Sequence, residues 1–207
     1  MIVVVDYGMG NIGSIVNMIK RAGGESTVSS DHEVIGHAEK LIIPGVGSFD
    51  HGMKNLNESG LTDVLNKKVL EEKVPVLGIC LGMQLMAKSS EEGILPGFGW
   101  VDAVCKKFQF TEENKNLRIP HMGWNEVNIK KHDGIFRNMY DDASFYFVHS
   151  YYVECAHAED IAATTGYGFE FTSSLQHQNI FATQFHPEKS HKYGLLVMKN
   201  FVEARHA

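Results

Sequence analysis

The apolar positions of this chain change rhythm along its length. Ile2-Val3-Val4-Val5 is an unbroken apolar run, the mark of a strand covered on both faces. Behind it Ile12, Ile15, Val16, Ile19 and Ala22 recur at helical spacing until Gly23-Gly24 stops them. Leu41-Ile42-Ile43 is a second solid run, cut by Pro44-Gly45, and Leu61, Val64, Leu65 and Val69 mark another helix. Val74–Ile79 gives a third strand, with Leu81, Leu85 and Met86 on the helix that follows. Strand, loop and helix in that order predict a parallel sheet covered by helices, with ligands at the carboxyl ends of the strands. Beyond about residue 95 the texture shifts. Ser144–Val148, Ile161–Thr165 and Ile180–Phe185 read as strands joined by short polar or Gly-containing turns, which predicts antiparallel pairing there. A closing helix, His191–Ala204, carries Leu195, Met198 and Val202 on one side. The expectation is one α/β domain over residues 1–207, its mixed and mainly parallel sheet flanked by helices.

Composition narrows the function classes more than the fold. The chain has 207 residues, 43% hydrophobic and 21% charged, values of a globular protein with a core of its own. Its formal net charge is −6, without a Lys/Arg cluster, which argues against nucleic acid and anionic membranes as partners. The longest apolar run is about five residues, too short to span a bilayer. Met1–Asp6 lacks the basic and long apolar regions of a signal peptide. Three widely spaced cysteines, Cys80, Cys105 and Cys155, suit a reducing, cytoplasmic setting better than a disulfide framework.

Four segments carry candidate chemistry. Gly8-Met9-Gly10-Asn11-Ile12-Gly13 matches the dinucleotide fingerprint, with Asp31 at the customary distance. The bulky Asp6-Tyr7 pair before it and the short chain favour a plain glycine turn feeding a helix. Val76-Leu77-Gly78-Ile79-Cys80-Leu81-Gly82-Met83-Gln84 is a sharper signal: strand, Gly-x-Cys-x-Gly turn, helix. Small residues on either side of a nucleophile permit the strained elbow that pushes its side chain out of the strand. Near the end of a late strand, Thr183-Gln184-Phe185-His186-Pro187-Glu188 offers an imidazole and a carboxylate at a proline turn. His186 can take the thiol proton while Glu188 orients the ring, the general logic of a triad. Pro44-Gly45-Val46-Gly47-Ser48 lies at the carboxyl end of another strand; Val46 and Gly47 supply one side of an oxyanion hole and the Leu81 N–H the other. No dense Cys/His cluster suggests a metal, and no cofactor is expected.

Gly-Ile-Cys-Leu-Gly-Met-Gln with a later Phe-His-Pro-Glu resembles the class I (triad) glutamine amidotransferases, whose fold is flavodoxin-like. Asp6-Tyr7-Gly8-Met9-Gly10-Asn11, Pro44-Gly45-Val46-Gly47 and Pro120-His121-Met122-Gly123-Trp124-Asn125 narrow the resemblance to the glutaminase subunits of imidazole glycerol phosphate synthases. The resemblance spans Asp6 to Lys189. It implies Cys80 as nucleophile, His186 as acid and base and Glu188 as its orienter. It also implies a glutamine pocket lined by Gly47, Gln84, His149, Ser150 and Tyr151. The partner it implies is a (β/α)8-barrel cyclase in a heterodimer, seated near Asn11, Met122, Gly123, Trp124 and Lys189. Ammonia would then enter the imidazole ring in histidine biosynthesis; the alternatives are a paralogue feeding a surface-sugar amidotransferase, or a glutaminase component of another synthase.

Overall fold

The computed structural model describes residues 1–204. Its first half winds strand and helix alternately: β1 (Ile2–Val5), α1 (Ile12–Arg21), β2 (Ser26–Ser29), α2 (His32–Gly36), β3 (Lys40–Ile43), α3 (Phe49–Glu58), α4 (Leu61–Asn66), β4 (Val76–Ile79) and α5 (Leu81–Leu85). The second half is mostly strand: β5 (Ser89–Ser90), β6 (Ala103–Lys107), β7 (His121–Glu126), β8 (Asn128–Ile129), β9 (Ser144–His149), β10 (Tyr151–Cys155), β11 (Ile161–Gly166), β12 (Glu170–His177) and β13 (Ile180–Thr183), closed by α6 (His191–Glu203). One 11-stranded sheet runs β2-β1-β3-β4-β13-β12-β10-β6-β5, with β11 joined to β12 and β8 to β11; β7 and β9 form a separate two-stranded ribbon.

Strands buried on both faces still sort their side chains by parity. Val3, Val5, Leu41, Ile43 and Val76 face α2, α3 and α4, where Ile35, Phe49, Leu56 and Leu65 meet them. Ile2, Val4, Ile42, Leu77 and Ile79 face the other way, against Ile15 and Ile19 of α1 and Val197, Met198 and Phe201 of α6. Each fully buried side chain of this kind contributes roughly 1.5–3 kcal/mol by leaving water. Asn11 caps α1 by accepting the Ser14 N–H, Lys20 and Arg21 occupy its last turn, and Gly23 at φ 85° ends it. Asp31 caps α2 the same way, accepting from the Glu33 and Val34 amides. The Asp31 carboxylate thus serves a helix end, and the glycine turn before α1 positions a cap.

The sheet register assembles the site. β3 runs parallel to β4 with Ile43 opposite Gly78, and β13 runs parallel to β4 with Thr183 opposite Ile79. Three carboxyl ends therefore emerge side by side, delivering the Pro44–Gly47 loop, Cys80, and Gln184 to His186 to one place. The late strands are antiparallel with two exceptions: the short β5 runs parallel to β6, and β13 is parallel to one of its neighbours. β13 pairs antiparallel with β12 but parallel with β4, because it returns to the centre of the sheet and not to its edge. The hydrophobic rhythm also passes over β2, α2, α3, β6, β7, β10 and β12. β2 is a half-exposed edge strand of Ser, Thr and Val, and α2 is five residues long, too few to show a helical period.

Candidate active site

Cys80 sits at φ 54°, ψ −105°, a conformation that a non-glycine residue holds only when its surroundings force it. Here they do. Its N–H donates to the Thr183 carbonyl at 2.8 Å, and its own carbonyl accepts from Met83 and Gln84 at 3.1 and 3.3 Å. A Cβ on Gly82 would run into the Ile43 carbonyl and one on Gly78 into the Gly82 backbone, so the turn closes only with glycines on both sides. The thiol is buried at the floor of a cleft, 3.9 Å from the Val148 carbonyl and 3.7 Å from the Gln184 amide nitrogen.

His186 approaches from β13. Its backbone N–H donates to the Tyr146 carbonyl at 2.9 Å, and Ser190 Oγ donates to the His186 carbonyl, fixing the segment against β9. Pro187 then turns the chain so that Glu188 Oε1 lies 2.7 Å from His186 Nδ1, both side chains 2% exposed. His186 Nε2 is buried and lacks a partner of good geometry; the Cys80 thiol is the group that couples to it. Burial works against a charge on this ring, while Cys80 and Glu188 work for it more strongly, and the balance lifts its pKa from 6.5 to about 9.

A cleft of about 300 Å³ opens above the thiol, at the small end of ligand sites. Val46, Gly47, Leu81, Gln84, His149, Ser150 and Tyr151 all line it together with Cys80 and His186. Gly47 has φ 119°, and a Cβ there would meet the Met9 methyl. Tyr7, wholly buried, donates its hydroxyl to the Pro44 carbonyl and so pins the base of this loop; burial, and the neighbouring Cys80, push its phenol pKa well up. The Leu81 N–H does not point into open space. It donates to the Gly45 carbonyl at 3.3 Å.

Three polar residues in and around the site are not given roles by the motifs. Glu92 is the one carboxylate among the residues lining the cleft, and its Oε2 also accepts the Phe49 N–H at 2.8 Å, capping α3 in place of Ser48. No sequence spacing links positions 43 apart. Gln184, fully buried, and His121, 3% exposed, belong to segments already singled out but become visible as polar partners only once folded. Asn11, Met122, Gly123, Trp124 and Lys189 lie outside the cleft. Met122 is 61% and Trp124 47% exposed; Trp124 stacks on His191 with centroids 5.3 Å apart, and the Lys189 ammonium lies 5.6 Å from the Tyr146 ring. Among the described residues no three His, Cys, Asp or Glu side chains converge as metal ligands. No described helix is long and apolar enough to cross a membrane.

Both the sequence and the fold match known proteins. The family described as glutamine amidotransferase class-I matches residues 3–204. A protein of Methanococcus maripaludis called imidazole glycerol phosphate synthase subunit HisH 2 is 53% identical over 98% of this chain and 99% of its own. The HisH 2 subunit of Pseudomonas aeruginosa is 48% identical over the same shares. In structure, a chain of PurLQS from Thermotoga maritima superimposes with a TM-score of 0.72 at 15% identity, over 98% of this chain and 97% of that one. The glutaminase domain of Trypanosoma brucei CTPS does so at 0.64 and 17%, over 100% and 95%. These two share the fold; the identities above them go further, and the chain belongs to the class I glutamine amidotransferases, within the HisH family of imidazole glycerol phosphate synthase subunits.

Proposed function

We propose that this chain, as a single domain, is the cytoplasmic glutaminase half of an imidazole glycerol phosphate synthase, releasing ammonia from glutamine for a (β/α)8-barrel cyclase bound over its cleft. The observation that carries the catalytic reading is Cys80 on its forced elbow beside the buried His186–Glu188 pair. In this reading the Cys80 sulfur attacks the side-chain carboxamide carbon of glutamine while His186 holds the thiol proton. His186 returns that proton to the leaving nitrogen, giving ammonia and a γ-glutamyl thioester. A water that loses its proton to His186 then attacks the thioester, and glutamate leaves as the thiol is restored. Glu188 holds the ring through Nδ1 and leaves Nε2, which is otherwise unpartnered, as the atom that carries the proton. The Glu92 carboxylate is placed to pair with the α-ammonium of glutamine, with Gln84, Ser150 and Tyr151 around the rest of the substrate.

The bond from Leu81 N–H to Gly45 O sets the resting state. A tetrahedral oxyanion needs that N–H, and each such donor is worth about 3–4 kcal/mol. Freeing it requires the Gly45–Gly47 loop to shift, and the exposed Val46, which shares the cleft wall with Pro120, gives a docked partner the handle. Low glutaminase activity alone and a large rise with the cyclase are therefore expected; a free-standing amide hydrolase would run at full rate without a partner. Cys80→Ala should abolish glutamate formation and leave the circular dichroism spectrum unchanged, and ammonia release by that variant would refute the assignment. The acceptor is settled by following amide-¹⁵N from glutamine in the reconstituted pair: label in an imidazole ring supports the synthase, and label in an amidated sugar the alternative acceptor.

A further inference from the structure

β7 alternates its faces. Met122 and Trp124 point outward, whereas His121 and Asn125 point inward and begin a line of hydrogen bonds that ends at the nucleophile. Asn125 Nδ2 donates to the Gly166 carbonyl at 3.0 Å and lies 3.1 Å from His121 Nε2. His121 Nδ1 lies 2.9 Å from His149 Nε2, its register partner on β9, and His149 Nδ1 lies 2.7 Å from the Tyr151 carbonyl. That carbonyl also accepts from Gln84 Nε2 at 3.1 Å. Gln84 Nε2 is likewise 3.1 Å from Gln184 Oε1, and Gln184 Nε2 is 3.7 Å from Cys80 Sγ.

The proton positions follow from a backbone carbonyl next to the imidazole pair, which can only accept. The Tyr151 carbonyl requires a proton on His149 Nδ1, so His149 Nε2 accepts. His121 must then carry its proton on Nδ1, leaving Nε2 to accept from Asn125. Both rings are neutral Nδ1–H tautomers, and a second proton on either would set N–H against N–H. Their surroundings favour neutrality. Tyr167 stacks on His121 with centroids 4.1 Å apart and Phe147 at 4.8 Å, and Phe108 and Phe171 lie against His149. Burial lowers the His121 pKa to about 4. Burial, with His121 and His186 adding to it and the Tyr151 carbonyl opposing, lowers that of His149 to about 3. Tyr167 on one side and His186 on the other are the titratable groups that face the pair.

We propose that this hydrogen-bonded chain is a positioning device that holds the Gln184 amide against the Cys80 sulfur and ties it to the strand whose outer face carries Met122 and Trp124. Gln184 donates to the reacting atom; Gln84, His149 and His121 are positioning residues acting through it. With both amide hydrogens of Gln84 committed, its oxygen is the atom left for a ligand. The inference rests on the glutaminase reading for its purpose, but the coupling itself is measurable without glutamine or partner.

The full chain is alkylated with iodoacetamide from about pH 6 to 9, and the Cys80 peptide is quantified by mass spectrometry. Cys105 and Cys155 compete little, since burial pushes both thiol pKa values up, that of Cys155 to about 12. Gln184→Met is expected to slow Cys80 alkylation near neutral pH by about threefold or more. His121→Phe, which preserves the stack on Tyr167, should do the same. His121→Asn, whose amide nitrogen can replace Nδ1–H, should restore the wild-type profile. The double variant should be no slower than the slower single one, since both break one chain. A wild-type profile for His121→Phe, or multiplied effects in the double variant, overturns the proposal. So does a ¹⁵N spectrum of the unmodified protein showing either ring charged or as the Nε2–H tautomer at neutral pH, whether or not the variants fold. Failure of the glutaminase reading would appear separately, as no glutamate formed by the wild type with its partner.

Discussion

A buried histidine keeps its charge only when its neighbours outweigh the loss of water, and His186 meets that condition on one side through Glu188 at 2.7 Å. Because its folded pKa, about 9, lies above the ordinary 6.5, the stabilisation it supplies is complete below about pH 6.5 and is lost as pH rises through about 9. Urea unfolding of wild type and Glu188→Gln should therefore differ most near pH 6, by about 1.5–3 kcal/mol for a hydrogen bond to a charged group, and converge at high pH. A gap that widened with pH would contradict this sign. In catalysis the order reverses in weight. His186→Ala removes the proton shuttle and should cost about 10²–10⁴-fold in kcat, whereas Glu188→Gln keeps a hydrogen-bonded ring and should cost less. Glu92 separates binding from chemistry: Glu92→Gln still caps the Phe49 amide but cannot neutralise an ammonium. Steady-state kinetics should then show KM for glutamine rising about tenfold or more with kcat nearly unchanged, and a loss confined to kcat would assign Glu92 elsewhere.

At the scale of elements, the site is built by strand ends, and this explains what the sequence makes legible. Solid runs such as Leu41-Ile42-Ile43 and the glycines around Cys80 announce themselves locally, because burial on both faces and a steric elbow each leave a compositional trace. The proposed triad is legible for the same reason: Gly78, Gly82 and Pro187 are needed where the backbone must turn. Glu92, Gln184 and His121 leave no such trace, since their partners are a helix amide 43 positions away, a thiol 104 away and an imidazole 28 away. Nor does β13 reveal that one of its neighbours is parallel, because a four-residue buried strand has the same pattern in either sense. The elbow offers the sharpest test at this scale. Gly82→Ala places a methyl against the Ile43 carbonyl, with no flexible side chain to yield, so β3 and β4 must separate or the elbow must open. Thermal unfolding should show the chain destabilised well beyond the about 1 kcal/mol that Gly to Ala usually gains in a helix, and in the opposite direction. A stabilised Gly82→Ala protein would mean that the turn does not close as described.

Taken whole, the molecule offers its cleft at one end of the sheet and exposes apolar side chains on the cleft wall, on the approach to β7 and along β7 itself. Val46 is 45% exposed, Ile119 41%, Met122 61% and Trp124 47%. Val46 and Pro120 belong to the cleft wall, and Pro120 continues into a surface groove with Ile119 and Met122, so the patch and the site share a border. In the proposed reading a partner seated there would touch the loop whose Gly45 carbonyl occupies the Leu81 N–H, so that docking and activation are expected as one event and not two. An exposed aromatic side chain that a partner buries can carry a disproportionate share of binding energy, about 2 kcal/mol or more on truncation. Trp124→Ala should accordingly weaken association with the cyclase by about thirtyfold or more in titration calorimetry, while thermal unfolding of the isolated chain shifts little, because Trp124 packs on the exposed His191 and not into either core. At saturating partner the same variant separates the two consequences of docking. If Trp124 only anchors the cyclase, glutaminase turnover in the saturated complex should equal that of wild type. If the β7 strand also transmits the docking to the thiol, turnover stays low even when every molecule is bound.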